Sequence, residues 1–345
     1  MAYIHIMNVR LFFCKASRRV DYSQLKSYNK IKKTNNKMTK SEYNFILQEK
    51  IQTVRNHAIA KDFERTSYVS FSGGKDSTVL VKILEMALPK NTIPKVFCDT
   101  GLEYLLIKKY ILDMMEHDPS YQIIKPQAPI TSILKKYGYP FKSKEFSQKV
   151  HQYQKHGTNS ETVKKYLGIT GEKSRQHQCP KILLPIFSQS NELKISDKCC
   201  LFLKKKPFIQ YTKDTGRNIS MLGMRRAENG LRQNLNCFTY DTRYNITHYN
   251  AIADLSDEFI EMFIQEEQVK LAPLYLPPYN FTRTGCVGCP YAMNIQAQLE
   301  TLKANLPQEY RKANALWGAV YEKYKSLNYR IKEDTEKNQN LLPFF

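Results

Sequence analysis

No apolar run in the 345-residue chain approaches the roughly 18–20 residues that a membrane span requires. The first 13 residues are mildly apolar, but they lack a basic region followed by a clean apolar stretch and a small-residue cleavage site. A soluble cytoplasmic protein is therefore expected, with no membrane partner. No internal repeat is visible. Acidic residues are scarce: 32 Asp and Glu stand against 53 Lys and Arg, a net charge of +21. That imbalance invites a polyanionic partner, nucleic acid included. Part of it is compositional, because Lys, Asn, Ile and Tyr are abundant together, the usual footprint of an AT-rich coding sequence. Part is local: residues 1–37 hold nine basic residues and a single acid, Asp21, which leaves +13 on the remainder.

What is present is a globular pattern, with 42% hydrophobic residues. Residues 1–40 are basic, Asn/Ser-rich and weakly periodic, and read as a disordered extension. Ordered periodicity begins just after Met38, so a chain starting there is expected to be as stable as the whole. Ser41 is placed to cap a helix running to about Lys61. An alternation follows: strand Ser67–Phe71, helix Asp76–Leu88, strand Pro94–Cys98, helix Tyr104–Glu116, strand Tyr121–Ile124 and a short helix at Pro129–Tyr137. Strands separated by helices of this length imply βαβ units, a doubly wound, mostly parallel sheet and an α/β fold. The rhythm breaks at about 140–195, a basic, partly helical insert. Strands at Asn218–Leu222 and Tyr244–Tyr249 follow, then a helix from Asp257 capped by Ser256. Two helices around Pro307 form a C-terminal region, 293–345, beyond a nucleotide-binding domain at 41–292.

Ser72-Gly73-Gly74-Lys75-Asp76-Ser77 lies between a strand and a helix. The glycines permit positive φ and close approach of a phosphate, and successive N–H groups and the helix N-terminus favour an anion. Ser72 and Ser77 add hydroxyls and Lys75 a mobile charge; Asp76 is placed to hold Lys75 or Mg. The spacing is not that of an ordinary P-loop. Arg225, Arg226 and Arg232 follow a strand end and suit bidentate contact with phosphate or sulfate. Glu103 and Glu228 suit either the ordering of these arginines or Mg. Cys199-Cys200 and Cys286-x-x-Cys289 are four thiols in two pairs, suited to an iron–sulfur cluster or zinc. Cys98 and Cys237 read as small buried hydrophobes.

The phosphate loop resembles that of the adenine nucleotide α-hydrolase superfamily. Asp99-Thr100-Gly101-Leu102-Glu103-Tyr104, Gly223-Met224-Arg225-Arg226-Ala227-Glu228-Asn229 with Arg232, Ile252–Glu258 and Pro273-Leu274-Tyr275 are similar to stretches of its phosphoadenosine phosphosulfate (PAPS) reductase family. The resemblance covers about residues 66–292. It implies an adenine nucleotide (ATP, adenylylsulfate, APS, or PAPS) bound by residues 72–77, Asp99, Thr100, Gly101, Glu103, Gly223, Arg225, Glu228 and Arg232. It assigns catalysis to Lys75, Asp76, Arg225 and Arg232. In the APS reductase branch a Cys-Cys pair followed about eighty residues later by Cys-x-x-Cys binds a four-iron, four-sulfur cluster. Cys200 and Cys286 are 86 positions apart, and Lys204–Lys206 resemble the basic residues near that cluster. The family's reductases use a cysteine in a C-terminal tail, and this sequence has none after Cys289. The resemblance therefore leaves three readings: ATP α–β cleavage and adenylation supporting sulfur insertion, with a sulfur donor as partner; a true reductase using another thiol and a thioredoxin-like partner; and a nucleotide-binding sensor or nucleic-acid module that does no chemistry.

Overall fold

The computed structural model describes residues 38–170, 178–188, 190–228 and 232–332. The expected extension, but for residues 38–40, Asn229 and the tail beyond 332 lie outside them. The chain divides into two compact units, Met1–Leu47 and Gln48–Phe345. In the first, helix α1 (Lys40–Lys61) begins, running on into the second. Its start is a reciprocal cap at Thr39, not Ser41: Glu42 N donates to Thr39 Oγ1 (3.2 Å), and Thr39 N donates to Glu42 Oε2 (2.8 Å). A threonine three positions before a glutamate satisfies two orphan amides at once, which Ser41 has no partner to do.

The second unit is built on a six-stranded sheet in the order β3-β2-β1-β4-β6-β5. The strands are β1 (Ser67–Phe71), β2 (Lys95–Cys98), β3 (Tyr121–Ile124), β4 (Ile219–Met221), β5 (Phe238–Asp241) and β6 (Ile246–Tyr249). All neighbours run parallel except β5, which is antiparallel to β6. The central strands are nearly continuous buried runs, as parallel strands covered on both faces must be. The edges β3 and β5 are only partly buried.

Helices α3 (Lys75–Ala87), α4 (Leu105–His117) and α5 (Ile130–Tyr137) follow the expected alternation, and a short helix α2 (Phe63–Thr66) that was not expected precedes β1. The 140–195 segment leaves and rejoins the body where Tyr139 bridges Ile195, and carries α6 (Lys144–His156) and α7 (Glu161–Leu167). Ser256 caps α10 (Asp257–Glu266) through Phe259 N at 3.1 Å. The chain's last described helices are α11 (Ile295–Asn305) and α12 (Pro307–Ser326).

Two further elements escaped the sequence pattern. β5 is a short edge strand whose residues are half-exposed, so it carries no apolar signal; the turn before β6 also starts that strand at Ile246 rather than Tyr244. The other is a helical run at α8 (Lys198–Cys200), a π-helical turn (Leu201–Lys205) and α9 (Lys206–Thr215). Pro207 sits in the first turn of α9, where a missing N–H is tolerated.

Candidate nucleotide and cysteine site

β1 lies between β2 and β4, so the chain leaves it for β2 and β3 on one side and returns for β4 and β6 on the other. The loops after β1 and β4 therefore face each other across the crevice where open α/β sheets bind ligands. Gly73 sits at φ +67 beneath Ile107 and Ile111 of α4, and Gly74 opens α3. Ser77 Oγ donates to Gly74 O (2.8 Å) and shares a 3.1 Å hydrogen bond with Ser72 Oγ, which accepts from Gly74 N at 3.2 Å. The two serines thus brace the loop. Lys75 N donates to the Tyr275 hydroxyl (3.0 Å), which lies 3.1 Å from Thr284 Oγ1. The Lys75 side chain makes no hydrogen bond or ion pair among the described residues, which leaves a free ammonium at the positive end of α3.

Asp76 holds neither Lys75 nor an open ligand position on its bonded oxygen: Arg225 Nε donates to Asp76 Oδ1 at 2.7 Å. Arg225 is 3% exposed, and its other nitrogens donate to Asp257 Oδ1 (2.7 Å) and Leu255 O (3.2 Å). A buried guanidinium committed in this way ties β4's loop to α3 and α10. Gly223 completes that joint. A Cβ there would stand 2.7 Å from Ser77 N and 2.8 Å from Ser77 Cα, so only glycine lets the two loops meet. Glu228, by contrast, gathers cations: Oε1 accepts from Arg225 N (3.2 Å), and Oε2 is paired with both Arg232 and Arg283. Arg283 was not foreseen; it stands alone in a polar stretch and has no motif to announce it.

Asp99 and Glu103 turn inward on their own loop. Asp99 accepts from Gly101 N (3.1 Å) and pairs with Lys108 (2.7 Å). Burial works against its ionisation, but Lys108 and the Gly101 amide outweigh that and lower its pKa. Glu103 accepts from Thr100 N (3.0 Å), Thr100 Oγ1 (2.7 Å) and Leu102 N (3.2 Å). The next carbonyl, Leu102 O, accepts from Val287 N at 2.7 Å, which docks the Cys286–Cys289 turn onto this loop.

That turn is held from its other side by α12. Trp317 Nε1 donates to Val287 O (2.9 Å), Tyr321 Oη to Gly288 O, and Tyr324 Oη to Pro290 O (2.9 Å). Gly288, at φ +60, leaves no room for a side chain: a Cβ would lie 2.5 Å from Ala313 Cβ. Gly285 has open space around it and imposes no such demand.

Cys199 and Cys200 open the helical run opposite, their sulfurs 3.9 Å apart with Cys199 as donor. The Cys199 thiol is raised by that hydrogen bond and by burial, and feels the charges of Cys286 and Cys289. The same bond lowers Cys200. Desolvation raises Cys286 and pushes Cys289 up to about 12, while Lys204 favours ionisation of both. Lys204 is raised in turn, chiefly by Cys286. The fold thus brings both cysteine pairs and Lys204 into one electrostatic neighbourhood. Lys205 and Lys206 are exposed instead. The π-helical turn that presents Lys204 has a local cause. Pro207 has no N–H for Leu203 O, and the Cys98 thiol donates to that carbonyl at 3.2 Å. Among the described residues no three His, Cys, Asp or Glu side chains are grouped as ligands of one ion.

The profile of the phosphoadenosine phosphosulfate reductase domain matches residues 66–194 and 158–292. The chain belongs to the PAPS reductase family. That match ends just beyond the Cys286–Cys289 turn, so α12, which grips the turn, lies outside the family region. No curated protein matches the sequence. Among solved structures, a PAPS reductase from Candida auris in phosphate complex is 14% identical over 73% of this chain and 98% of its own, with a TM-score of 0.42. FMN adenylyltransferase from Candida glabrata is 13% identical over 73% and 65%, TM-score 0.43. The U34-tRNA thiolase of Methanococcus maripaludis, with its 4Fe-4S cluster, is 13% identical over 86% and 84%, TM-score 0.39.

Proposed function

We propose that this member of the family cleaves ATP between its α and β phosphates and adenylates an acceptor in support of sulfur insertion. The observation that carries the reading is the free Lys75 ammonium beside the braced Ser72–Ser77 loop, at the switch point of the sheet. The positive end of α3 receives the phosphates, and Lys75 neutralises charge as it develops. An acceptor oxygen attacks the α-phosphorus, the α–β bridge breaks, and pyrophosphate leaves. A sulfur nucleophile then displaces AMP from the adenylated acceptor. Arg225 acts as a positioning residue that fixes Asp76, the carboxylate within the Ser72–Ser77 loop and the one suited to any Mg that accompanies the phosphates.

Reduction of a sulfonucleotide needs a thiolate nucleophile. Outside the two pairs, the described thiols are Cys98, Cys179 and Cys237, and burial pushes them up to about 12, 11 and 11. With the two pairs given to a cluster, this favours adenylation over the reductase reading.

Cys199, Cys200, Cys286 and Cys289 fit a four-iron, four-sulfur cluster. Each thiolate of such a set binds a different iron, so the four need not crowd around one centre as zinc ligands must. Lys204 offsets part of their negative charge. When bound, the cluster would supply a soft, electron-rich centre for handling sulfur. The net charge of +21 favours a nucleic acid as acceptor.

The test is product identification with anaerobically purified full-length chain given ATP, APS and PAPS in turn, the ATP arm with a nucleic-acid acceptor and sulfide present. AMP and pyrophosphate from ATP are expected. Sulfite from APS or PAPS would overturn the reading in favour of a reductase, and tight binding without turnover would overturn it in favour of a sensor.

A further inference from the structure

Two of the phenols packed round the Cys286–Cys289 turn, Tyr321 and Tyr324, donate to its carbonyls. Tyr291 does not. Its hydroxyl is buried and has no hydrogen-bond partner among the described residues. A phenol is both donor and acceptor, and a buried one left unpaired is rare enough to ask what it would meet in the loaded protein.

The main chain that carries this ring is fixed. Pro290 O, one residue before it, accepts from Tyr324 Oη (2.9 Å) and Arg330 Nη1 (3.1 Å). The Tyr291 backbone N–H favours the Cys289 thiolate. On the α6 side the ring's polar neighbour is Ser147, which is fully buried and already engaged: its Oγ donates to Phe141 O (2.8 Å) and accepts from Phe141 N (2.9 Å). The remaining groups that act on the phenol are sulfurs of both cysteine pairs. Burial raises its pKa, and the charges of Cys199, Cys200 and Cys289 raise it further, so it keeps its proton at neutral pH. An unpaired donor thus stands beside three of the four thiols, carried by α8 and by the turn.

We propose that the Tyr291 phenol donates a hydrogen bond to sulfur of the four-iron, four-sulfur cluster that these cysteines hold, and thereby raises its reduction potential. The inference rests on the cluster reading given above and goes beyond it. Reduction adds negative charge to the cluster, so a donor aimed at its sulfurs favours the reduced form. The phenol does this as a neutral group, where Lys204 does it by charge.

The test is the midpoint potential of the cluster, followed by electron paramagnetic resonance as dithionite is added. It is measured on the anaerobically purified full-length chain and on its Tyr291→Phe variant, with iron and zinc content and visible absorbance recorded for both. Tyr291→Phe is expected to keep its iron and to favour the reduced state about three- to tenfold less, a negative shift of about 30–60 mV for one electron. Iron retained at an unchanged potential overturns the proposal, because the ring then only fills space. An unaltered chain that holds zinc, or no metal, overturns the cluster reading and this proposal with it; the products formed from ATP are scored separately and judge adenylation alone. If Tyr291→Phe loses its iron, the unaltered sequence grown with fluorotyrosine in place of tyrosine decides. Fluorine makes a phenol the stronger donor, so the potential should rise, and an unchanged potential overturns the proposal.

Discussion

Lys75 and Gly223 show how one residue type at one place serves binding or packing. Lys75 is half-buried and its ammonium is unpartnered among the described residues, so removing it costs the fold nothing. Lys75→Ala is expected to weaken ATP by about tenfold or more at an unchanged melting temperature, as read by titration and calorimetry; unchanged affinity would remove the loop as the phosphate site. Gly223 has the opposite character. Its missing Cβ is filled by the backbone of Ser77, which a flexible side chain cannot relieve. Gly223→Ala must push α3 away from β4, at a cost of about 1–3 kcal/mol. A drop in melting temperature with weakened ATP binding is the expected outcome, because the moved residues are the phosphate loop itself.

At the scale of elements, α12 is the support of the cysteine turn. Trp317, Tyr321 and Tyr324 lie on one face of the helix and donate to carbonyls of residues 287, 288 and 290 in succession. Tyr321→Phe leaves Gly288 O without this donor at a buried site, a loss of about 1–3 kcal/mol. The predicted result is a lower melting temperature and a reduced iron-to-protein ratio after anaerobic purification. A variant that melts earlier but keeps full iron would show that α12 serves folding alone. The π-helical turn is a second case: Pro207 releases Leu203 O and Cys98 occupies it, which sets Lys204 beside Cys286.

For the whole molecule, acid should loosen the fold in two steps. Burial lowers His57, His151 and His248 below the ordinary imidazole value of 6.5. The unfolded chain therefore binds protons that the folded one refuses, and stability falls as pH drops below about 6.5 towards the folded values. Asp99 and Asp118 are lowered in the fold despite burial, by Lys108 and the Gly101 amide in one case and by Ser120 and Lys95 in the other. Their contribution is present above the ordinary carboxylate value of 3.8 and is lost as pH falls through the lowered ones. A melting temperature that declines from pH 7 to 5, and less so in a His57→Gln, His151→Gln, His248→Gln triple variant, is the expected result. A curve flat over that interval would contradict it.

The sequence by itself determined the α/β alternation, the glycine-rich loop between β1 and α3, and the family, because these signals are local. Apolar runs of strand length, glycines before a helix and residue spacings survive without knowledge of what they touch. It also marked the two cysteine pairs. Tertiary structure alone decided what the charged residues do, since a charge is defined by its partner and partners lie far apart in the chain. Arg225 stands 149 positions from Asp76, and the fold pairs the two. Arg283 and Arg232 meet over Glu228, although the chain between them carries no pattern that links them. Only the fold could supply α12 to the Cys286–Cys289 turn, because the three carbonyls it satisfies are the same in every sequence.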